Sequence, residues 1–83
     1  MMTFNEAVKK AQHLSKKPDT DIMLQLYGLY KQATSGNITS ERPSGFDFKA
    51  MAKHDAWSAQ RGKSTEEAKK EYIRLVESLE EEA

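Results

Sequence analysis

Tyr27, Tyr30 and Lys31 have the types and spacing to act together on a bound molecule. At about 100° per helical residue, Met23, Tyr27, Tyr30 and Thr34 share a face, and Lys31 lies one turn beyond Tyr27. Ile22, Leu26, Leu29 and Ala33 form the adjacent stripe, which reads as core. Phenol rings, a flexible thioether and a cation thus stand side by side. They suit a ligand with an aromatic ring, a phosphate and an apolar part. The plainer structural reading makes both tyrosines core residues with surface hydroxyls.

Reactive groups are sparse elsewhere. His13 and His54 are the two histidines, and no serine stands in a nucleophile-elbow context. His54 and Asp55 are sequence neighbours, but helical neighbours point about 100° apart, so they form no catalytic dyad. Asp19 and Asp21 hint at a calcium loop. Leu24 then sits where the turn glycine belongs and Tyr30 where the bidentate glutamate belongs, so that reading fails. With no cysteine, thiol catalysis and thiolate metal sites are excluded. No metal, cofactor or enzymatic activity is expected.

Eighty-three residues make a single domain, 1–83, too small to enclose a large cavity. A long apolar ligand must therefore lie in a groove. Thirteen basic residues balance thirteen acidic ones, which argues against disorder and against nucleic acid as a partner. No apolar run approaches the ~18 residues needed to span a membrane, so stable membrane insertion is not expected. The Met-Met-Thr-Phe-Asn-Glu start has no signal-peptide pattern. The expectation is a monomer in the cytoplasm.

Four elements must position the candidate residues. Thr3 and Glu6 make a capping box for helix 1, expected over 4–15, with Phe4, Val8, Ala11 and Leu14 as its apolar line. Lys16 and Lys17 complement its C-terminal dipole, and Pro18 stops it. Asp19 or Thr20 caps helix 2, expected over 21–35 and ending at Gly36-Asn37. Residues 37–46 have no helical period, and Ile38 and Phe46 are expected to tuck this long overpass against the body. Helix 3 starts between Asp47 and Ala50 and ends before Gly62, with Phe48, Met51, Ala52, Ala56 and Ala59 as its line. Lys53 and Trp57 fall on a neighbouring face. Ser64 and Glu67 form a second capping box before helix 4, whose stripe is Ala68, Tyr72, Leu75, Val76 and Leu79. Glu80, Glu81 and Glu82 oppose the dipole there, so that end should fray. The pattern is an all-α four-helix bundle with a long overpass between helices 2 and 3.

Tyr27-Gly28-Leu29-Tyr30-Lys31-Gln32-Ala33-Thr34 resembles the signature of the acyl-CoA-binding protein family. The resemblance continues in Gly36-Asn37, Arg42-Pro43, Asp47-Phe48, Ala52-Lys53, Asp55-Ala56-Trp57, Gly62-Lys63-Ser64 and Tyr72-Ile73. It runs from Phe4 to Leu79 without an obvious insertion. It implies an up-down-down-up topology, with helices 1 and 4 packed through Phe4, Val8, Ala11, Leu14, Tyr72, Ile73, Val76 and Leu79. It also implies non-enzymatic binding and intracellular transport or buffering of medium- to long-chain fatty acyl-CoA esters.

By the same resemblance, Tyr27, Tyr30, Lys31, Lys53 and Tyr72 contact the coenzyme A head group. Tyr30 would stack on adenine and Lys31 would reach the ribose 3′-phosphate. Met23 and Leu24 match positions that line the acyl groove, and Gln12, Gly28 and Leu29 are further ligand-binding candidates. Two residues depart from the pattern. His54 stands where the family usually has tryptophan, and Gln12 where it often has lysine, which weakens the expected head-group field. A rival reading keeps the same fold but makes it a helical interaction module, whose apolar groove binds an amphipathic partner helix.

Overall fold

A computed structural model describes residues 2–82. Four helices are present among these residues: α1 (Phe4–Ala11), α2 (Thr20–Ser35), α3 (Phe48–Ser58) and α4 (Thr65–Glu81). They form an all-α bundle in up-down-down-up order.

Local hydrogen bonds set most of the boundaries. The Thr3 amide donates to Glu6 Oε1 at 2.8 Å and the Glu6 amide to Thr3 Oγ1 at 3.2 Å, closing the reciprocal capping box. Asp19 caps α2 by accepting from the Ile22 amide at 3.1 Å, and Asp47 caps α3 by accepting from the Ala50 amide at 3.0 Å. Ser64 accepts from the Glu67 amide at 3.0 Å. The Glu67 carboxylate reaches the Ser64 hydroxyl rather than its amide, so only half of the expected second box forms. At the end of α2, Gly36 adopts φ +77°, a conformation that side chains resist.

Helix α1 is shorter than the apolar spacing suggests. It ends at Ala11, four residues before the expected end, because the Gln12 and His13 amides bond to the carbonyls three residues back, Lys9 and Lys10. That tighter turn closes the helix. Lys9 and Lys10, not Lys16 and Lys17, therefore complement its dipole, and Leu14 lies beyond it. At the other end of the chain, α4 continues to Glu81, and Lys10 Nζ stands 3.5 Å from Glu80 Oε2.

Helix α2 is the hub: it packs on both α3 and α4, while α1 packs on α4. The core joins Ala7, Leu26, Leu29, Tyr72 and Val76, all buried. Ala7 is the fully buried residue of α1, and Phe4 is only partly buried against this cluster. Phe4 instead shares an aromatic group with Tyr72, whose ring centroid is 5.2 Å away edge-on, and with Tyr30 at 6.1 Å. The α2–α3 contact is closer still. A Cβ on Gly28 would lie 2.3 Å from the Ala56 carbonyl oxygen, so only glycine allows the backbones to approach this far.

The overpass behaves differently at its two ends. Ile38 is buried, as the sequence suggests. Phe46 is 92% exposed and does not tuck in: it follows Gly45, at φ +86°, in a turn that carries it outward just before the α3 cap. Phe48 also leaves the expected apolar line and is 70% exposed. Helix α3 packs on α2 alone and buries no residue fully, so its contact strip is too narrow to include Phe48. The overpass is anchored instead by polar bonds. The Trp57 indole donates to the Gly36 carbonyl at 2.8 Å, and Asn37 Oδ1 accepts from Gln32 Nε2 and the Gly62 amide.

Candidate functional site

Three of the open depressions that border α2 hold the candidate residues. The first, about 300 Å³, lies between α1, α2 and α4 and is lined by Val8, Gln12, Met23, Tyr27, Tyr30 and Tyr72, with Ala11, Pro18 and Leu26 at its base. The second, about 480 Å³, runs between α2 and α3 past Leu24, Gln25, Ala52 and Ala56. The third, about 220 Å³, lies under the overpass and is lined by Tyr27, Ile38, Pro43, His54 and Trp57, with Lys53 and Glu41 as its charged residues.

Tyr27 borders both the first and the third depression, so one phenol ring divides an apolar groove from a more polar recess. Lys53 Nζ lies 5.3 Å from the centre of the Tyr27 ring, and Lys31 Nζ lies 4.8 Å from that of Trp57. Each pair is within cation–π range and holds a long, mobile side chain beside a rigid ring. The resulting surface of alternating cations and aromatic faces can grip a phosphate and stack a base.

On the groove side, Tyr30 is 39% exposed and lies 6.4 Å from Tyr72, centroid to centroid. Tyr30 thus offers a ring face already supported by Phe4 and Tyr72. Burial pushes the Tyr72 phenol above its usual range, and the neighbouring Tyr30 adds to the shift. Tyr72 therefore stays a neutral hydrogen-bond donor at physiological pH.

Met23 and Leu24 border different depressions, because consecutive helical residues point to different sides of α2. Gly28 and Leu29 line none of the three. Gly28 faces the α3 backbone, and Leu29 is 1% exposed in the core. The sequence reading also missed residues that the fold supplies. Val8, Ala11 and Pro18 reach the groove, though the first two were assigned to core and Pro18 to a helix stop. Lys31 lines none of the three depressions and joins the recess through Trp57, a pairing between helices that no spacing within one helix reveals.

His54 braces the recess. Its Nε2 lies 3.1 Å from the Ser40 carbonyl, which can only accept, so this nitrogen donates. Its Nδ1 lies 3.4 Å from the Ser58 hydroxyl. Arg42 adds a second tie from the overpass to α3, donating to both Asp55 oxygens at 2.9 and 3.0 Å. The Arg42 hydrogen bond holds the Asp55 carboxyl below the usual carboxylate range. The walls of the recess are thus fixed by polar bonds between α3 and the overpass.

A four-helix bundle with an apolar groove and a polar, aromatic recess on a shared wall has the form of a binding module for an amphipathic ligand. Comparison with known proteins names the class more closely. The family model described as "Acyl CoA binding protein" matches residues 1–76, and this chain belongs to that family. It is 46% identical over 79 residues to the acyl-CoA-binding protein of Dictyostelium discoideum, covering 95% of this chain and 94% of that one. It is 49% identical over 76 residues to the acyl-CoA-binding protein of Saccharomyces cerevisiae, covering 92% and 87%. The crystal structure of Oryza sativa acyl-CoA-binding protein 2 superposes with a TM-score of 0.91 at 48% identity, covering 95% of this chain and 88% of that one. The family is one of binding proteins rather than enzymes.

Proposed function

We propose that this protein binds medium- to long-chain fatty acyl-CoA esters without chemistry, as a monomer in the cytoplasm, and buffers or carries them there. The observation that carries this reading is the shared Tyr27 wall, with apolar Met23 and Leu26 on one side and Lys53 and Trp57 on the other. Tyr27, Tyr30, Lys31, Lys53 and Tyr72 take the coenzyme A head group, with adenine on the exposed face of Tyr30. Gln12 hydrogen-bonds at the rim of the groove. Met23 and Leu24 serve the acyl chain from the two sides of α2.

Apolar burial and head-group contacts divide the work. Covering about fourteen methylenes contributes a gross ~11 kcal/mol, which sets chain-length preference. Charge-assisted bonds from Lys31 and Lys53 contribute ~1.5–3 kcal/mol each and select the CoA ester over the free acid. Calorimetry with palmitoyl-CoA, palmitate and coenzyme A tests the division. Palmitoyl-CoA should bind far more tightly than either part. Equal affinity for palmitate and its CoA ester would remove the head-group assignment.

A further inference from the structure

Lys10, Lys63 and Lys69 each stand against a carboxylate, of Glu80, Glu71 and Glu66 respectively. Lys31 and Lys53 are held differently. Among the described residues neither has an ion-pair partner, and each ammonium stands over an aromatic ring. An ion pair neutralises the cation that it fixes. An aromatic face fixes the cation through the ring quadrupole and leaves the full charge free to act.

Trp57 has the anchorage that such a platform needs. Its ring is carried on α3, and its indole N–H donates to the Gly36 carbonyl at the end of α2, at 2.8 Å. Lys31 belongs to α2 and holds its ammonium 4.8 Å from the ring centre. Platform and lysine are thus both tied to the same helix. We propose that Trp57 is a positioning residue for phosphate recognition: its ring holds the Lys31 ammonium, charge intact, at the margin of the recess under the overpass.

The charges around the recess show why this matters. Lys53 and Glu41 both line it, and their charges cancel. Arg42 and Asp55, next in sequence to Glu41 and His54, neutralise each other through hydrogen bonds of 2.9 and 3.0 Å. Arg61 is engaged by the Ile38 carbonyl at 3.2 Å. Lys31 therefore brings positive charge that the lining of the recess does not hold in excess. An ammonium resting on a ring face keeps N–H donors for a phosphate. Fixing it before the ligand arrives removes part of the cost of ordering a long side chain on binding. The inference rests on the acyl-CoA reading, which supplies the 3′-phosphate as the anion.

Trp57 is the one tryptophan of the chain, so fluorinated tryptophan incorporated during expression alters this ring alone. Fluorine weakens the negative ring face, keeps the shape close to the original and leaves the indole N–H in place. Affinity for palmitoyl-CoA should fall stepwise from tryptophan to mono- and difluorotryptophan. Trp57→Leu should lower it by roughly threefold to tenfold. Fluorination should have no effect in a Lys31→Met background, nor on binding of 3′-dephospho palmitoyl-CoA. In the ligand-free chain, proton NMR should find the Lys31 ε-methylene shifted upfield by the ring, and Trp57→Leu should abolish that shift. An unshifted methylene in the wild type overturns the pairing. Affinity that rises with fluorination also overturns the proposal, by making the ring a competitor of the phosphate. Equal effects of fluorination with and without Lys31 do the same, by making Trp57 a contact in its own right. Failure of the unmodified chain to bind palmitoyl-CoA removes the ligand reading and this role with it, whereas binding indifferent to fluorination removes the role alone.

Discussion

Lys31 shows how a single side chain gains specificity from its neighbours. It follows Tyr30, whose ring is exposed, and its ammonium is held over Trp57 at 4.8 Å. On the proposed reading Lys31 recognises one particular phosphate, whereas a solvated lysine would only raise the local potential. A double-mutant cycle separates the two. Wild type and Lys31→Ala are each titrated with acyl-CoA and with its 3′-dephospho form. Lys31→Ala should weaken acyl-CoA binding by ~1.5–3 kcal/mol and should matter little once the phosphate is gone. Equal losses with both ligands would transfer the phosphate to Lys53.

At the scale of elements, the sequence was most legible where structure is local. The caps at Thr3, Asp19, Asp47 and Ser64 rest on hydrogen bonds to residues three positions on, and short range makes them readable. The core stripe of α2 was readable too: Leu26, Leu29 and Ala33 are buried where the helical period places them. What could not be read depends on which neighbour arrives. Ala7 is buried and Phe4 only partly so where α1 packs on α4. Phe46 and Phe48 look like core by composition and are surface by position. In the site, the tyrosine–lysine helix face was legible, while the Lys31–Trp57 pairing and the separation of Met23 from Leu24 required the assembled fold. The hub role of α2 has a thermodynamic consequence. Leu29→Ala, in the middle of α2, should cost ~2–5 kcal/mol in urea unfolding. Phe4→Ala should cost less despite removing a larger side chain, because Phe4 keeps part of its surface in water. A larger loss at Phe4 would place the mechanical centre of the bundle at α1.

The whole molecule measures 38 × 26 × 15 Å, and the thinnest dimension leaves no room for a closed cavity. Ligand surfaces and stabilising charges therefore lie near solvent, and stability should respond to pH through a few identifiable groups. The Thr3 amide, then the Thr3 hydroxyl, hold the Glu6 carboxyl below its usual range, and Arg42 does the same for Asp55. For a depressed acid, the stabilising contribution is complete above its unfolded value, about 4 for these residues, and is lost as pH falls through the lower folded value. Tyr72 has the opposite sign. Its raised phenol contributes fully below about pH 10 and loses that contribution as pH rises through the higher folded value. The urea midpoint should therefore fall at both extremes for separable reasons. Glu6→Gln with Asp55→Asn should lower the midpoint at neutral pH and flatten the acid limb, because the two contributions are already absent. Both carboxyls are exposed, so the flattening should be modest and should shrink further in high salt. Tyr72→Phe should flatten the alkaline limb alone. An acid limb unchanged in the double variant would show that the α1 cap and the Arg42–Asp55 tie do not govern acid unfolding, leaving it to other carboxylates of the chain.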